Sequence, residues 1–215
     1  MRKCHILLAF VFLLMLPLSS MSGEGKTSIY LGAGLGSPMS PDNIKKQHNM
    51  GLNFIVGVGY QFNPTFQIMP RVAYNLFPLD EDYVLKELEQ ELDEDLSGVT
   101  LDGGTLKVLE FGTDGKIYLT PASGALKFKP FFSGGIGMAK ISFSDVKLEY
   151  QGIGISVPVA GSETKLTFNF GAGFDAKISP TMAIFANANY YLVTTEGETF
   201  SYLPIRVGLK IGFAN

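Results

Sequence analysis

The sequence predicts an all-β fold, an eight-stranded antiparallel up-and-down transmembrane β-barrel, and three observations carry that prediction. The first is alternation. Across residues 165–178 one parity reads Leu166, Phe168, Phe170, Ala172, Phe174, Ala176 and Ile178, and the other reads Lys165, Thr167, Asn169, Gly171, Gly173, Asp175 and Lys177. Strand side chains point alternately to opposite faces, so one face is wholly apolar. Fourteen residues rise roughly 46 Å, leaving about 33 Å along a membrane normal at a tilt near 45°. That is enough to cross the hydrocarbon core.

The second observation is that the pattern recurs seven more times, taken here in chain order. Residues 28–36 set Ile29, Leu31, Ala33 and Leu35 against Tyr30, Gly32 and Gly34. Residues 52–62 set Leu52, Phe54, Val56 and Val58 against Asn53, Gly57 and Gly59, and 66–76 set Phe66, Ile68, Val72 and Tyr74 against Gln67, Arg71 and Asn75. Residues 109–119 set Leu109, Phe111 and Ile117 against Glu110, Asp114 and Lys116. Residues 127–143 alternate least clearly, and Gly134-Gly135 suggest a bulge that shifts the register. After the 165–178 strand, 182–192 set Ile184, Ala186 and Ala188 against Asn187 and Asn189. Last, 205–213 set Ile205, Val207, Leu209, Ile211 and Phe213 against Arg206, Gly208 and Lys210.

The third observation is the alternation of connection lengths. Asn63-Pro64, Pro121-Ala122-Ser123-Gly124 and Ser179-Pro180-Thr181 are turn-sized, whereas 37–49, 78–104, 144–162 and 195–201 are long. Short and long alternate strictly, which places every short turn at the end that holds both termini. Outer-membrane barrels have this asymmetry, with short periplasmic turns and long extracellular loops. A soluble sandwich or carrier barrel has no reason to segregate loop length.

The N-terminus predicts export. Arg2 and Lys3 precede the apolar run 6–18, and Ser20-Met21-Ser22 offers small residues for cleavage before Gly23. Residues 1–22 thus read as a signal peptide and 23–215 as one barrel domain. The run is too short for a transmembrane helix, and Cys4 lies ahead of it, which argues against a lipoprotein. Without Arg2 and Lys3 the net charge moves from −3 to −5, which gives no sign of a nucleic-acid partner.

Closure into a barrel removes sheet edges and pairs every backbone polar group within the chain. Eight strands enclose an interior that side chains just fill. The polar parity then assigns Arg71, Glu110, Asp114, Lys116, Asp175, Lys177, Arg206 and Lys210 to an interior network, with Lys165 at a mouth. The apolar parity assigns Leu166, Phe168, Phe170, Phe174, Leu209, Ile211 and Phe213 to lipid contact. If Arg71 and Arg206 block the lumen, replacing either by Ala should raise any leak.

The stretches GKIYLTPASGALKFKPFFSGGIG (115–137), KLTFNFGAGFDAKISP (165–180) and YLPIRVGLKIGF (202–213) resemble the outer-membrane beta-barrel protein family, including the OmpA/OmpX-like and OmpW-like small barrels and proteins labelled porin family. The resemblance covers essentially the whole mature chain and rests on alternation and glycine placement. It implies the outer membrane of a Gram-negative bacterium, a lipid environment, and recognition of the C-terminal strand by the barrel assembly machinery. Family members usually end on an aromatic residue, whereas here Ala214-Asn215 follow Phe213.

Chemistry is sparse. His48 is the one histidine after the predicted cleavage site, and its neighbours Ser37, Ser40 and Asp42 match no catalytic spacing. In the acidic loop, Leu85, Leu88, Leu92 and Leu96 recur at helical spacing among nine acids and Lys86, which predicts a short amphipathic helix. Asp93, Asp95, Ser97 and Gly98 match half of a calcium loop, but Gly104 stands where a bidentate Glu is required. The apolar residues Ile153, Ile155, Val157 and Val159 in the third loop read as packing residues or a hydrophobic contact. No catalytic residue, cofactor or metal is assigned. The expected role is structural or surface-interacting. An OmpW-like narrow channel for small or hydrophobic solutes ranks second, ahead of a soluble exported carrier and a lipid hydrolase.

Overall fold

The computed structural model describes residues 26–93, 95–96, 98–119, 127–150, 153–159, 161–195 and 199–213. The predicted signal peptide and the turn 121–124 fall outside these residues.

Eight strands close the barrel. They are β1 (Lys26–Ser40), β2 (Gly51–Asn63), β3 (Phe66–Phe77), β5 (Leu106–Tyr118), β6 (Phe128–Phe143), β9 (Ser162–Lys177), β10 (Met182–Val193) and β11 (Phe200–Gly212). Each pairs antiparallel with its neighbour, and β11 returns to β1 along a register running from Ser28↔Gly212 to Ser40↔Ser201. The sheet therefore has no edge. Strand periodicity sets what faces where: along β3, half-buried and buried positions alternate without interruption from Phe66 to Phe77. Leu52, Phe54, Val56, Ile136, Phe170, Ile205 and Val207 stand exposed on the outer face, while Asn53, Arg71, Asn75 and Arg206 are buried inside.

Shorter and longer connections still alternate along the chain, although 194–199 is shorter than 119–127, and the strands extend further into the loops than the sequence pattern indicates. β1 runs to Ser40 and β11 begins at Phe200. At these loop-end positions both parities are apolar or small, so two-faced alternation no longer marks the strand.

The suggested bulge at Gly134-Gly135 is absent. Asp114↔Gly135 and Gly115↔Gly134 stay in register, as do Gly134↔Phe170 and Gly135↔Asn169. Gly135 instead makes room: a Cβ there would lie 2.1 Å from Asp114 Oδ1 and 2.7 Å from Asn169 Nδ2. The glycine is a packing feature of the lumen. The observed irregularities lie at Pro38/Ser40 and Gln61/Asn63.

The long connections carry structure of their own. Helix α1 (Asp42–Gln47) follows β1, and α2 (Glu81–Leu92) follows β3. The Asp80 side chain accepts from the Tyr83 amide at 3.0 Å, capping α2, and Glu81 and Asp82 suit its first turn. The helix ends at Asp93, in the left-handed conformation, so Leu96 of the predicted leucine repeat lies beyond it. Strands β4 (Val99–Gly103), β7 (Val146–Tyr150) and β8 (Ile153–Val157) form a separate antiparallel sheet ordered β4-β7-β8. The third loop is thus a hairpin joined to the second loop by β4.

Candidate functional site

The lumen is filled in three layers, described here from the end bearing the short turns to the end bearing the loops. In the first layer, the Tyr30 hydroxyl donates to Gln67 Oε1 at 2.9 Å. The Tyr118 hydroxyl stands 2.7 Å from Gln67 Oε1 and 2.8 Å from Asp175 Oδ2, so its single proton goes to one of two acceptors. Lys210 Nζ donates to Asp175 Oδ2 at 2.7 Å and to the Tyr118 hydroxyl at 3.0 Å. The Lys116 ammonium lies 4.0 Å from the Tyr30 ring centroid and 4.5 Å from that of Phe131, a cation–π setting.

The middle layer is ionic. Arg71 of β3 donates from Nε to Asp114 Oδ2 at 2.8 Å and from Nη1 to Glu110 Oε2 at 2.6 Å, both on β5. The network continues through amides: Asn169 Nδ2 donates to Asp114 Oδ1 at 2.9 Å, and Asn189 Nδ2 donates to Asn169 Oδ1 at 2.9 Å and to Ser133 Oγ at 3.0 Å. Five strands are tied together across the lumen. Beside it, Arg206 Nε donates to Asn53 Oδ1, Asn53 Nδ2 donates to Asn75 Oδ1, and Arg206 Nη1 donates to the Tyr191 hydroxyl at 3.0 Å. Both guanidinium groups also sit near the Tyr191 ring, at 5.0 Å for Arg71 and 5.1 Å for Arg206.

Tyr191 joins this polar layer to an apolar one. Its ring stacks on Tyr202 at 5.0 Å, and Tyr202 meets Phe77 at 5.6 Å and Phe200 at 5.3 Å. Leu106, Val108, Ala139 and Val193 complete the buried cluster, with Ile44 of α1, Ile141 and Phe143 packed against it. Aromatic and aliphatic side chains from the loop ends of the strands therefore plug the lumen, and α1 covers them.

His48 pins that cover. It is buried, with Nδ1 3.3 Å from the Ile44 carbonyl oxygen and Nε2 3.3 Å from that of Gly104, and it bridges to Leu79. Burial lowers its pKa, although the two carbonyl contacts oppose that shift. A neutral ring donates to only one of these carbonyls, but both ring nitrogens face backbone oxygens rather than a hydroxyl to deprotonate, and Ser37 bonds its own neighbour's carbonyl, at Pro38. Because the folded-state pKa lies below the unfolded value, the unfolded loop binds protons more readily. The stabilising contribution is complete above the ordinary histidine value of about 6.5 and is lost as pH falls below it. Normalised amide-exchange protection around residues 44–50 and 104 should therefore decline from pH 7.5 to 5.5, and His48→Phe should remove most of that dependence.

Of the residues assigned to the interior, Arg71, Glu110, Asp114, Lys116, Asp175 and Arg206 are buried there, and Lys210 is largely covered. Lys177 is a correction. It is exposed at the last position of β9, because parity fixes the direction of a side chain and not its depth. Lys165 is half-buried, near the loop end, with Glu163 at 3.2 Å. On the outer face Leu166, Phe168, Phe170, Leu209 and Phe213 are exposed. Ile211 is half-buried, as is Phe174, whose ring lies 4.6 Å from Phe128. The amide bridges Asn169 and Asn189 share the polar parity but were not among the assigned residues. The plug was not anticipated, although the paired apolar residues Leu76-Phe77, Val108-Leu109 and Leu192-Val193 mark it. Among the described residues no cluster of His, Cys, Asp or Glu is arranged to hold a metal ion.

Known proteins place this architecture. The crystal structure of Neisserial surface protein A aligns at a TM-score of 0.56 and 12% identity, covering 89% of this chain and 100% of that one. The outer membrane protein OprG from Pseudomonas aeruginosa aligns at 0.52 and 13% identity, covering 89% of this chain and 97% of that one. At such identities the likeness concerns the fold alone. No curated protein matches the chain. The family model of the outer membrane protein beta-barrel domain, however, matches residues 8–213, and the chain belongs to that family.

Proposed function

We propose that this protein is a non-conducting, non-enzymatic structural barrel of the Gram-negative outer membrane that presents an interaction surface outside the cell. The observation that carries this reading is the filled lumen, an ion network beneath an apolar plug. A hydrated ion passing through it would have to displace both buried charges and tightly packed rings. Export through residues 1–22 and recognition of β11 by the barrel assembly machinery belong to the same reading. So does orientation, with the short turns in the periplasm and the loops outside. Leu166, Phe168, Phe170, Leu209, Ile211 and Phe213 then meet lipid, as does Phe174 in part.

The interaction surface in this reading combines acidic α2 with the β7–β8 hairpin. Val146, Leu148 and Tyr150 pair with Val157, Ile155 and Ile153, so all six lie on one face, and Tyr150, Ile153, Ile155 and Val157 are exposed. Liposome swelling tests the closed lumen. Vesicles holding the refolded barrel should swell in small sugars no faster than protein-free vesicles. Sugar-dependent swelling would favour the channel alternative.

A further inference from the structure

The turn end of the lumen holds positive charge that the interior network leaves uncompensated. Inward parity brings Lys26 of β1, Lys129 of β6, Lys177 of β9 and Lys210 of β11 to this mouth. Lys177 and Lys210 both stand opposite Ala183 of β10, one on either side, and Lys129 stands opposite Asp175. Lys129 is within electrostatic reach of Lys210, Lys177 and Lys26, and of one carboxylate, Asp175. Deeper in, Lys116 is only 2% exposed, and its ammonium is held by aromatic rings rather than by a carboxylate.

Against these five lysines stands Asp175, already engaged by Lys210 at 2.7 Å. Among the described residues, neither Lys116, Lys26, Lys129 nor Lys177 has a carboxylate within salt-bridge distance. The turns 63–65, 119–127 and 178–181 contain no Asp or Glu. Glu24 lies outside the described residues. The acids gather at the opposite end, in and around α2.

A concave mouth with low-dielectric walls focuses such a field and concentrates counter-ions. The lysine stems are long, and Lys177 and Lys210 sit two strand spacings apart, roughly 10 Å. Their ammonium groups can therefore converge on one multivalent oxyanion, for which lysine is a good point-charge partner. A buried, unpaired ammonium such as Lys116 also favours a nearby anion. We propose that Lys26, Lys129, Lys177 and Lys210 form an anion site at the turn-end mouth that takes a phosphate group, either free phosphate or the phosphodiester of an anionic lipid headgroup. This site is independent of whether the lumen conducts.

The test uses the full-length barrel refolded in an uncharged maltoside detergent and a phosphate-free buffer. Inorganic phosphate is titrated while backbone amide signals at the turn ends of β6, β9 and β11 are followed. Saturable shifts confined to that end are expected, weakening with added salt, and at least tenfold weaker in K129Q/K177Q. Folding of the variant is checked by its heat-modifiable gel mobility. If it does not fold, K26Q takes its place, with a smaller loss of affinity expected. A second arm places the wild type in phosphatidylcholine discs with and without phosphatidylglycerol. Loss of the phosphate response in the presence of phosphatidylglycerol assigns the site to a lipid headgroup, and its persistence assigns it to free phosphate. Shifts that never saturate, or that are equal in wild type and variant, overturn the proposal.

Discussion

Arg71→Ala should destabilise the folded barrel by about 3–5 kcal/mol, the cost of removing one partner from a buried charge network. Glu110 and Asp114 both lose their hydrogen-bonded cation at 2.6 and 2.8 Å, and two carboxylates on one strand stay buried in the lumen without it. The measurement is reversible urea unfolding in lipid vesicles, followed by gel mobility without boiling. A triple variant R71M/E110Q/D114N tests the cause. It removes the charges together, so it should recover much of the loss, as expected when desolvation rather than lost attraction dominates. If the triple variant is no better than Arg71→Ala, the lost hydrogen bonds of Arg71 rather than the unpaired charges set the cost.

Phe77→Ala should be comparably severe, about 3–5 kcal/mol for truncating a buried phenylalanine. Phe77 is fully buried and meets Tyr202 edge-on at 5.6 Å. Tyr202 in turn stacks on Tyr191, which lies beside both arginines. A void at Phe77 therefore loosens the face of the plug and the ring that seats the ion network. Phe77→Leu should recover part of the stability by filling some of the void. The same unfolding measurement reads both variants, and a Phe77→Ala barrel as stable as wild type would show that the plug contributes little to the fold.

The two variants also bear on how the lumen closes. From the polar parity alone, Arg71 or Arg206 is the obvious obstruction, and its loss should open a path. The structure adds a second barrier above them, built from Phe77, Leu106, Val108, Val193, Phe200 and Tyr202. Loss of one arginine should therefore leave the barrel closed while the plug remains.

What was legible in the sequence follows from one physical fact, that a barrel strand separates lipid from lumen. Wherever that separation is chemical, as between Phe168 and Asn169 or between Phe111 and Glu110, period-two alternation located the strand and aimed each side chain. Where the lumen itself turns apolar, at Phe77, Val108 and Val193, the alternation fades. There the strand ends were underestimated and the plug went unseen. The small sheet was missed for a different reason. β4 and β7 are 43 residues apart at their nearest partners, Gly103↔Val146, and joined by two membrane-crossing strands, and no local pattern announces that pairing. His48 lay between the two cases: its isolation argued against catalysis, but only tertiary contacts reveal that it anchors α1 to Gly104.

The claim that the lumen is closed is tested most directly by ion current. The refolded wild-type barrel, inserted into a planar bilayer in concentrated potassium chloride, should give no discrete current steps. Steps should emerge only when plug and network are both opened, as in Phe77→Ala/Tyr202→Ala combined with R71M/E110Q/D114N. Reproducible unitary steps from the wild-type protein would contradict the account.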